Sequence, residues 1–117
     1  MKKLILHFGN ETIKVVDLAQ ILYVTIEDRS AHLFYVTNGK TEVIRTRKSL
    51  KEFEERLEKS GFVRAHKGFL VAVDHIQYVD RSMIQLNDRD KTRIPLGPKY
   101  KNNVISRLRQ GNVEMAE

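Results

Sequence analysis

The sequence predicts a mainly β fold with one or two short helices. Short runs rich in Val, Ile, Thr and Tyr recur between turn signals along most of the chain. Asn38-Gly39 stands between two such runs, and a type I′ hairpin needs residues of that kind because both central positions take positive φ. Only Leu50–Lys59 carries apolar residues at clear helical spacing.

Taken in order, Lys3–Phe8 is an apolar run closed by Gly9-Asn10, and the β-branched stretch Thr12–Val16 returns from it as a hairpin. Asp17–Gln20 makes one helical turn with Asp17 as its cap. Ile21–Ile26 is a strand, Glu27–Ala31 a polar connection, and His32–Thr37 the next strand. Thr41–Thr46 returns from Asn38-Gly39, so that Ile21–Thr46 reads as an antiparallel meander.

Ser49-Leu50-Lys51-Glu52 fits a capping box, Leu50, Phe53 and Leu57 follow at helical spacing, and Gly61 stands where a helix-ending glycine belongs. The other face of this helix mixes acids with bases and reads as a solvated surface, because acids repel an anionic partner. Ile76–Asp80 and Met83–Leu86 are strands separated by Arg81-Ser82. After the polar turn Asn87–Lys91, Thr92–Leu96 is a last strand whose Pro95 marks an edge. Gly97-Pro98 breaks the chain ahead of a second helix over Lys99–Leu108, which Gly111 ends. A single domain over residues 1–110 with a frayed tail over 111–117 is the expected organisation. Met1, just ahead of the first strand, favours a stand-alone protein.

The chain has no cysteine, which excludes disulfides, thiolate metal sites and cysteine nucleophiles. The four histidines show no i, i+4 pairing on a helix, so no metal or other cofactor is expected. No Gly-x-Ser-x-Gly elbow, Walker sequence or Gly-x-Gly-x-x-Gly is present, and the sequence does not read as an enzyme. No apolar run approaches the ~20 residues that span a bilayer, and His7 and Asn10-Glu11 interrupt any signal-peptide core. These features point to the cytoplasm, with no membrane partner.

The net charge is +6, and the six basic residues between Lys91 and Val113, a stretch without one acid, account for all of it. A field so concentrated is the footprint of nucleic-acid binding, although lipid head groups would also answer it. A second basic feature lies in Phe62–Ile76. Arg64, His66 and Lys67 interrupt two apolar segments with no acid between Gly61 and Val73. A buried strand does not hold three such side chains unless they point out or are paired. The stretch therefore reads as a core strand that surfaces, shows a basic tip, turns at Gly68 and dives back. Three connections at strand ends offer groups for base edges and phosphates: Asp28–His32, Arg64–Lys67 and Gly97–Asn103. No helix has the character of a recognition helix.

The run Phe62-Val63-Arg64-Ala65-His66-Lys67-Gly68-Phe69-Leu70-Val71-Ala72 resembles the signature of the LytTR DNA-binding domain, Phe-x-Arg-x-His-(Arg/Lys/Asn)-Ser-(Tyr/Phe)-(Leu/Ile)-Val-Asn. Ile21–Val24, Arg47–Leu57 and Ile94-Pro95-Leu96-Gly97-Pro98-Lys99-Tyr100 are similar to further family segments in the same order. The resemblance implies an elongated fold of small antiparallel sheets packed together. It implies double-stranded DNA as partner, bound by loops in the major groove at paired direct repeats, with a second copy on the DNA. It further implies bacterial transcription regulation by a domain that often follows a receiver. His66 and Lys67 fall on the family's central contact loop, Lys99 on its guanine-reading arginine, and Arg29, Ser30 and His32 on its first contact region. Arg45, Arg47, Lys48, Arg64, Lys101 and Arg107 are candidates for phosphate contact.

Three positions depart from the pattern: Gly68 replaces Ser, Ala72 replaces Asn, and Gly97-Pro98 replaces Ser-Arg. Gly97-Pro98 and Ala72 motivate an alternative, a protein-interaction module on the same scaffold without base readout. RNA is a third possibility if Tyr23, Tyr35 and Tyr78 stack on bases.

Overall fold

The computed structural model describes residues 2–117. Met1, on which the stand-alone expectation rests, lies outside the described residues. The chain opens with a hairpin, β1 (Lys3–His7) and β2 (Ile13–Asp17), which forms a two-stranded sheet of its own. After one 3-10 turn come β3 (Ile21–Glu27), β4 (Ser30–Thr37) and β5 (Lys40–Arg45), paired as the expected meander. Asn38 and Gly39 take φ of 52° and 74° at its second turn, as the type I′ reading requires.

The expected loop Glu27–Ala31 is tighter than the polarity of its residues suggests. Glu27 pairs with Ser30 and Ile26 with Ala31, which leaves Asp28 and Arg29 alone to turn the chain at φ of 50° and 69°. Asp visits this left-handed region readily and Arg seldom does. The buried Ala31 and its paired neighbours enforce the conformation.

Helix α1 (Leu50–Leu57) begins with the expected capping box. The Glu52 N–H donates to Ser49 Oγ at 3.1 Å, and the Ser49 N–H donates back to the Glu52 carboxylate at 3.3 Å. The chain then tightens into a 3-10 turn and reverses at Gly61, whose φ is 90°. Strands β6 (Phe62–His66) and β7 (Phe69–Ala72) form the next hairpin, and β7 pairs antiparallel with β3. The central sheet thus has the order β5-β4-β3-β7-β6. Strands β8 (Ile76–Val79), β9 (Met83–Leu86) and β10 (Arg93–Pro95) make a third sheet in which β10, with Pro95, is an edge. Helix α2 (Lys101–Arg109) is the last element, starting two residues later than expected because Pro98–Tyr100 form a 3-10 turn.

Both faces of the central sheet are buried. On one, Val24, Leu33, Phe62 and Leu70 pack with Phe53 and Leu57 of α1 and with Leu6 and Val16 of the first hairpin. On the other, Leu22, Val63 and Val71 pack with Ile84, Leu86, Ile94 and Val104 of the third sheet and α2. Neighbouring residues such as Phe62 and Val63 therefore serve opposite cores, which is the period of two in a strand covered on both sides. The layers give an elongated body of 54 × 28 × 26 Å, and the expected fold class is borne out.

Candidate nucleic-acid interface

Strand direction decides which turns meet. Strands β3, β5 and β6 run one way, and β4 and β7 return. The Asp28-Arg29 turn, the segment after β5 and the Lys67-Gly68 turn consequently share one end of the central sheet. Hydrogen bonds tie them together. The Gly68 carbonyl accepts from the Ile26 N–H at 3.2 Å and from Thr25 Oγ1 at 2.9 Å. The Ala31 N–H donates to the Lys48 carbonyl at 2.8 Å, and Thr46 Oγ1 donates to the Ala31 carbonyl at 2.7 Å. At the β6 edge the Gly97 N–H donates to the Ala65 carbonyl at 2.8 Å, which brings the loop bearing Lys99 to the same end.

The candidates differ in what they present there. Arg29, Arg45, Arg47, Lys48, Lys67 and Lys99 are exposed, and none has an ion-pair partner among the described residues. Ser30 is half-buried at the start of β4, and Lys101 half-buried at the start of α2. His66 Nδ1 accepts from the Gly68 N–H at 3.1 Å, so the proton of the neutral ring sits on Nε2. One nitrogen braces the turn and the other is left as a donor.

Three candidates sit otherwise than expected. His32 is 7% exposed, and its Nδ1 lies 3.2 Å from the Glu27 carboxylate, so the ring is packed inside the first turn and shows no edge to a partner. Arg64 follows Phe62 on the face covered by α1. It donates to the Glu54 carboxylate at 2.7 Å and to the Lys67 carbonyl at 3.0 Å, while its Nε–H is buried without a partner among the described residues. Its guanidinium is spent on holding the turn to the helix. Arg107 donates to the Glu58 carbonyl at 2.8 Å just before β6 begins, at the end of the sheet opposite the three turns.

Glu54, Thr25 and Thr46 were not singled out from the sequence. A signal existed for Glu54. In a strand buried on both faces, Arg64 shares the side of Phe62, which packs under an acid-rich helix, and an inward arginine there needs a carboxylate. Replacing Arg64 with methionine is expected to cost about 1–2 kcal/mol, since the pair is only partly buried and Met refills the space. Urea unfolding of the single and Glu54→Gln variants and their double measures it, and additive losses would show that the two do not act as a pair.

A Cβ on Gly97 would lie 3.1 Å from the Tyr100 ring, so a side chain there needs that ring to give by a few tenths of an ångström. A Cβ on Gly68 meets His66 Nδ1 only at 3.7 Å, so that position has room for a side chain. The turn below the C-terminal loop is set by Asp80, which accepts from the Ser82 and Met83 N–H groups at 2.9 and 3.0 Å. The Ser82 hydrogen bond is the first cause holding the Asp80 carboxyl below its ordinary range. Ser82 in turn accepts from the Leu96 N–H at 2.9 Å, next to Gly97.

Tyr23 and Tyr35 offer no common platform. Tyr23 stacks on Phe34 at 4.7 Å and packs towards one core, Tyr35 packs against the other, and burial raises the Tyr23 phenol above its ordinary range. Among the described residues no helix is long and apolar enough to cross a membrane, and no group of three His, Asp or Glu is placed to hold a metal ion.

The family model described as the LytTr DNA-binding domain matches residues 11–109. The chain is 36% identical over 70 residues, 60% of its length, to the sensory transduction protein LytT of Oceanobacillus iheyensis, and spans only 27% of that relative. Among solved structures it is similar to a LytTr DNA-binding domain from Bacillus cereus. The TM-score is 0.67, with 23% identity, over 93% of this chain and 98% of that one, a likeness of fold.

Proposed function

The chain belongs to the LytTR DNA-binding domain family, and from that premise we propose that it reads a specific duplex sequence through loops inserted in the major groove and so regulates bacterial transcription. The supporting observation is the run of hydrogen bonds linking Ile26 to Gly68 and Ala65 to Gly97, which gathers three turns at one sheet end. In this reading Lys67, Lys99, Arg29 and the Nε2–H of His66 address base edges, with Ser30 beside them. Arg45, Arg47, Lys48 and Lys101 neutralise phosphates and hold register. His32 and Arg64 brace the turns, and Arg107 caps the end of the α1 segment. Paired direct repeats would seat two copies.

Gly97-Pro98, where the family pattern has Ser-Arg, favours a second reading: a scaffold that binds protein and has lost base readout. Selection from a pool of random duplexes, followed by gel shifts at two salt concentrations, separates the two. A reader of DNA yields an enriched motif, and its affinity falls steeply with salt, with a slope near −0.9 per phosphate neutralised. No enriched motif together with salt-independent behaviour would remove the DNA reading.

A further inference from the structure

The first hairpin leaves an edge open beside α1. The Phe8 N–H donates to the Thr12 carbonyl at 2.8 Å, and the Leu18 N–H to the Lys2 carbonyl at 3.0 Å. With the register running from Lys3↔Asp17 to His7↔Ile13, Lys2, Leu4, Leu6 and Phe8 bond to β2. The backbone groups of Lys3, Ile5 and His7 therefore point the other way, and β1 has no second strand partner among the described residues. Native edges are usually blunted by a proline, a bulge or an inward charge. This one has Ile5 at its centre, 57% exposed.

The open edge borders a groove of about 620 Å³, of the size of a ligand site. Leu4–His7 line one wall, and Glu52, Phe53, Glu55 and Arg56 the other. Beyond His7 the groove continues into a cleft lined by Arg45, Arg47 and Lys48. None of these three has an ion-pair partner among the described residues, and the one acid at that end, Glu52, is engaged by the Ser49 cap. Along β1 the groove thus offers open backbone groups with Leu4, Leu6 and Phe53 at hand and Glu55 and Arg56 on its far wall, and it is cationic at its His7 end.

We propose that the open edge of β1 docks an extended peptide segment of a partner protein as a third, antiparallel strand. Alternate residues of that segment are apolar, and acids at its N-terminal end lie beside Arg45, Arg47 and Lys48. Antiparallel addition is the more stable ladder and fixes which end carries the acids. The segment occupies residues assigned above to phosphates, so peptide and duplex exclude each other. That competition rests on the DNA reading, and the docking site does not.

The probe is a fluorescein-labelled peptide of three glutamates followed by alternating valine and threonine, titrated into the whole chain. A saturable rise in anisotropy is expected. Amide hydrogen exchange should slow at Ile5 and His7 but not at Ile13 and Val15, whose N–H groups face the opposite edge. Ile5→Pro removes one open-edge donor without touching a β1–β2 bond, and it should weaken the peptide at least about tenfold while leaving duplex affinity unchanged. The exchange measurement on the unaltered chain decides the question even if that variant fails to fold.

Unchanged exchange at Ile5 and His7 under saturation overturns the proposal. So does protection centred on Lys67 and Lys99, which would make the peptide a mimic of duplex. Protection of Ile5 and His7 that grows with protein concentration alone would assign the edge to a second copy. A peptide that binds at Ile5 yet is not displaced by the selected duplex leaves the docking site standing and removes the phosphate role of Arg47 and Lys48.

Discussion

Replacing Lys67 and Lys99 together with alanine should lower affinity for the selected duplex by between about 30-fold and 10⁴-fold, at about 1–3 kcal/mol for each lost base contact. Affinity for random duplex should fall far less, and the salt slope should change little. Both lysines are exposed and free of ion pairs among the described residues, so the fold has no stake in them. Thermal unfolding should stay within about 0.5 kcal/mol of the parent. Fluorescence anisotropy on the two duplexes is the measurement. Equal losses on both would make these lysines phosphate contacts and move base reading elsewhere.

The largest effect on stability is expected at Phe62, which is 2% exposed between α1 and the central sheet. Phe62→Ala removes a ring from the core cluster it shares with Phe53, Leu57 and Leu70 and leaves a cavity, at a cost of about 3–5 kcal/mol. Against a total of about 5–15 kcal/mol that is a large fraction, and the melting midpoint should fall by at least about 10 °C. Circular dichroism through the transition measures it. Because Phe62 begins the strand that ends at His66, duplex binding should weaken before the fold is lost. A midpoint shift below about 3 °C would mean that the layer collapses around the gap, and that this cluster does not hold α1 to the sheet.

Most of the fold was legible because local rules were locally obeyed. Asn38-Gly39 announces its turn by residue type, Ser49 and Glu52 announce a helix start, and Gly61 marks a reversal at φ of 90°. The candidate site was legible in kind, as basic residues at strand ends, and less so in detail. Nothing about Arg64 in isolation tells a phosphate contact from a brace, because the difference lies in Glu54, ten positions away on another element. His32 resembles a contact by its place beside a loop, yet a turn tighter than its polarity suggested draws the ring inside against Glu27.

What the amino-acid sequence determined by itself is the set of elements, their order and the positions where the chain reverses, since hydrophobic period, capping and positive-φ residues act over a few positions. What only the tertiary structure decided is which strands lie side by side. The pairing of β3 with β7 joins residues more than forty positions apart, and it follows from covering both faces of one sheet at once. That pairing ties Ile26 to Gly68, and with Gly97 held to Ala65 it carries three distant turns to a single end of the molecule.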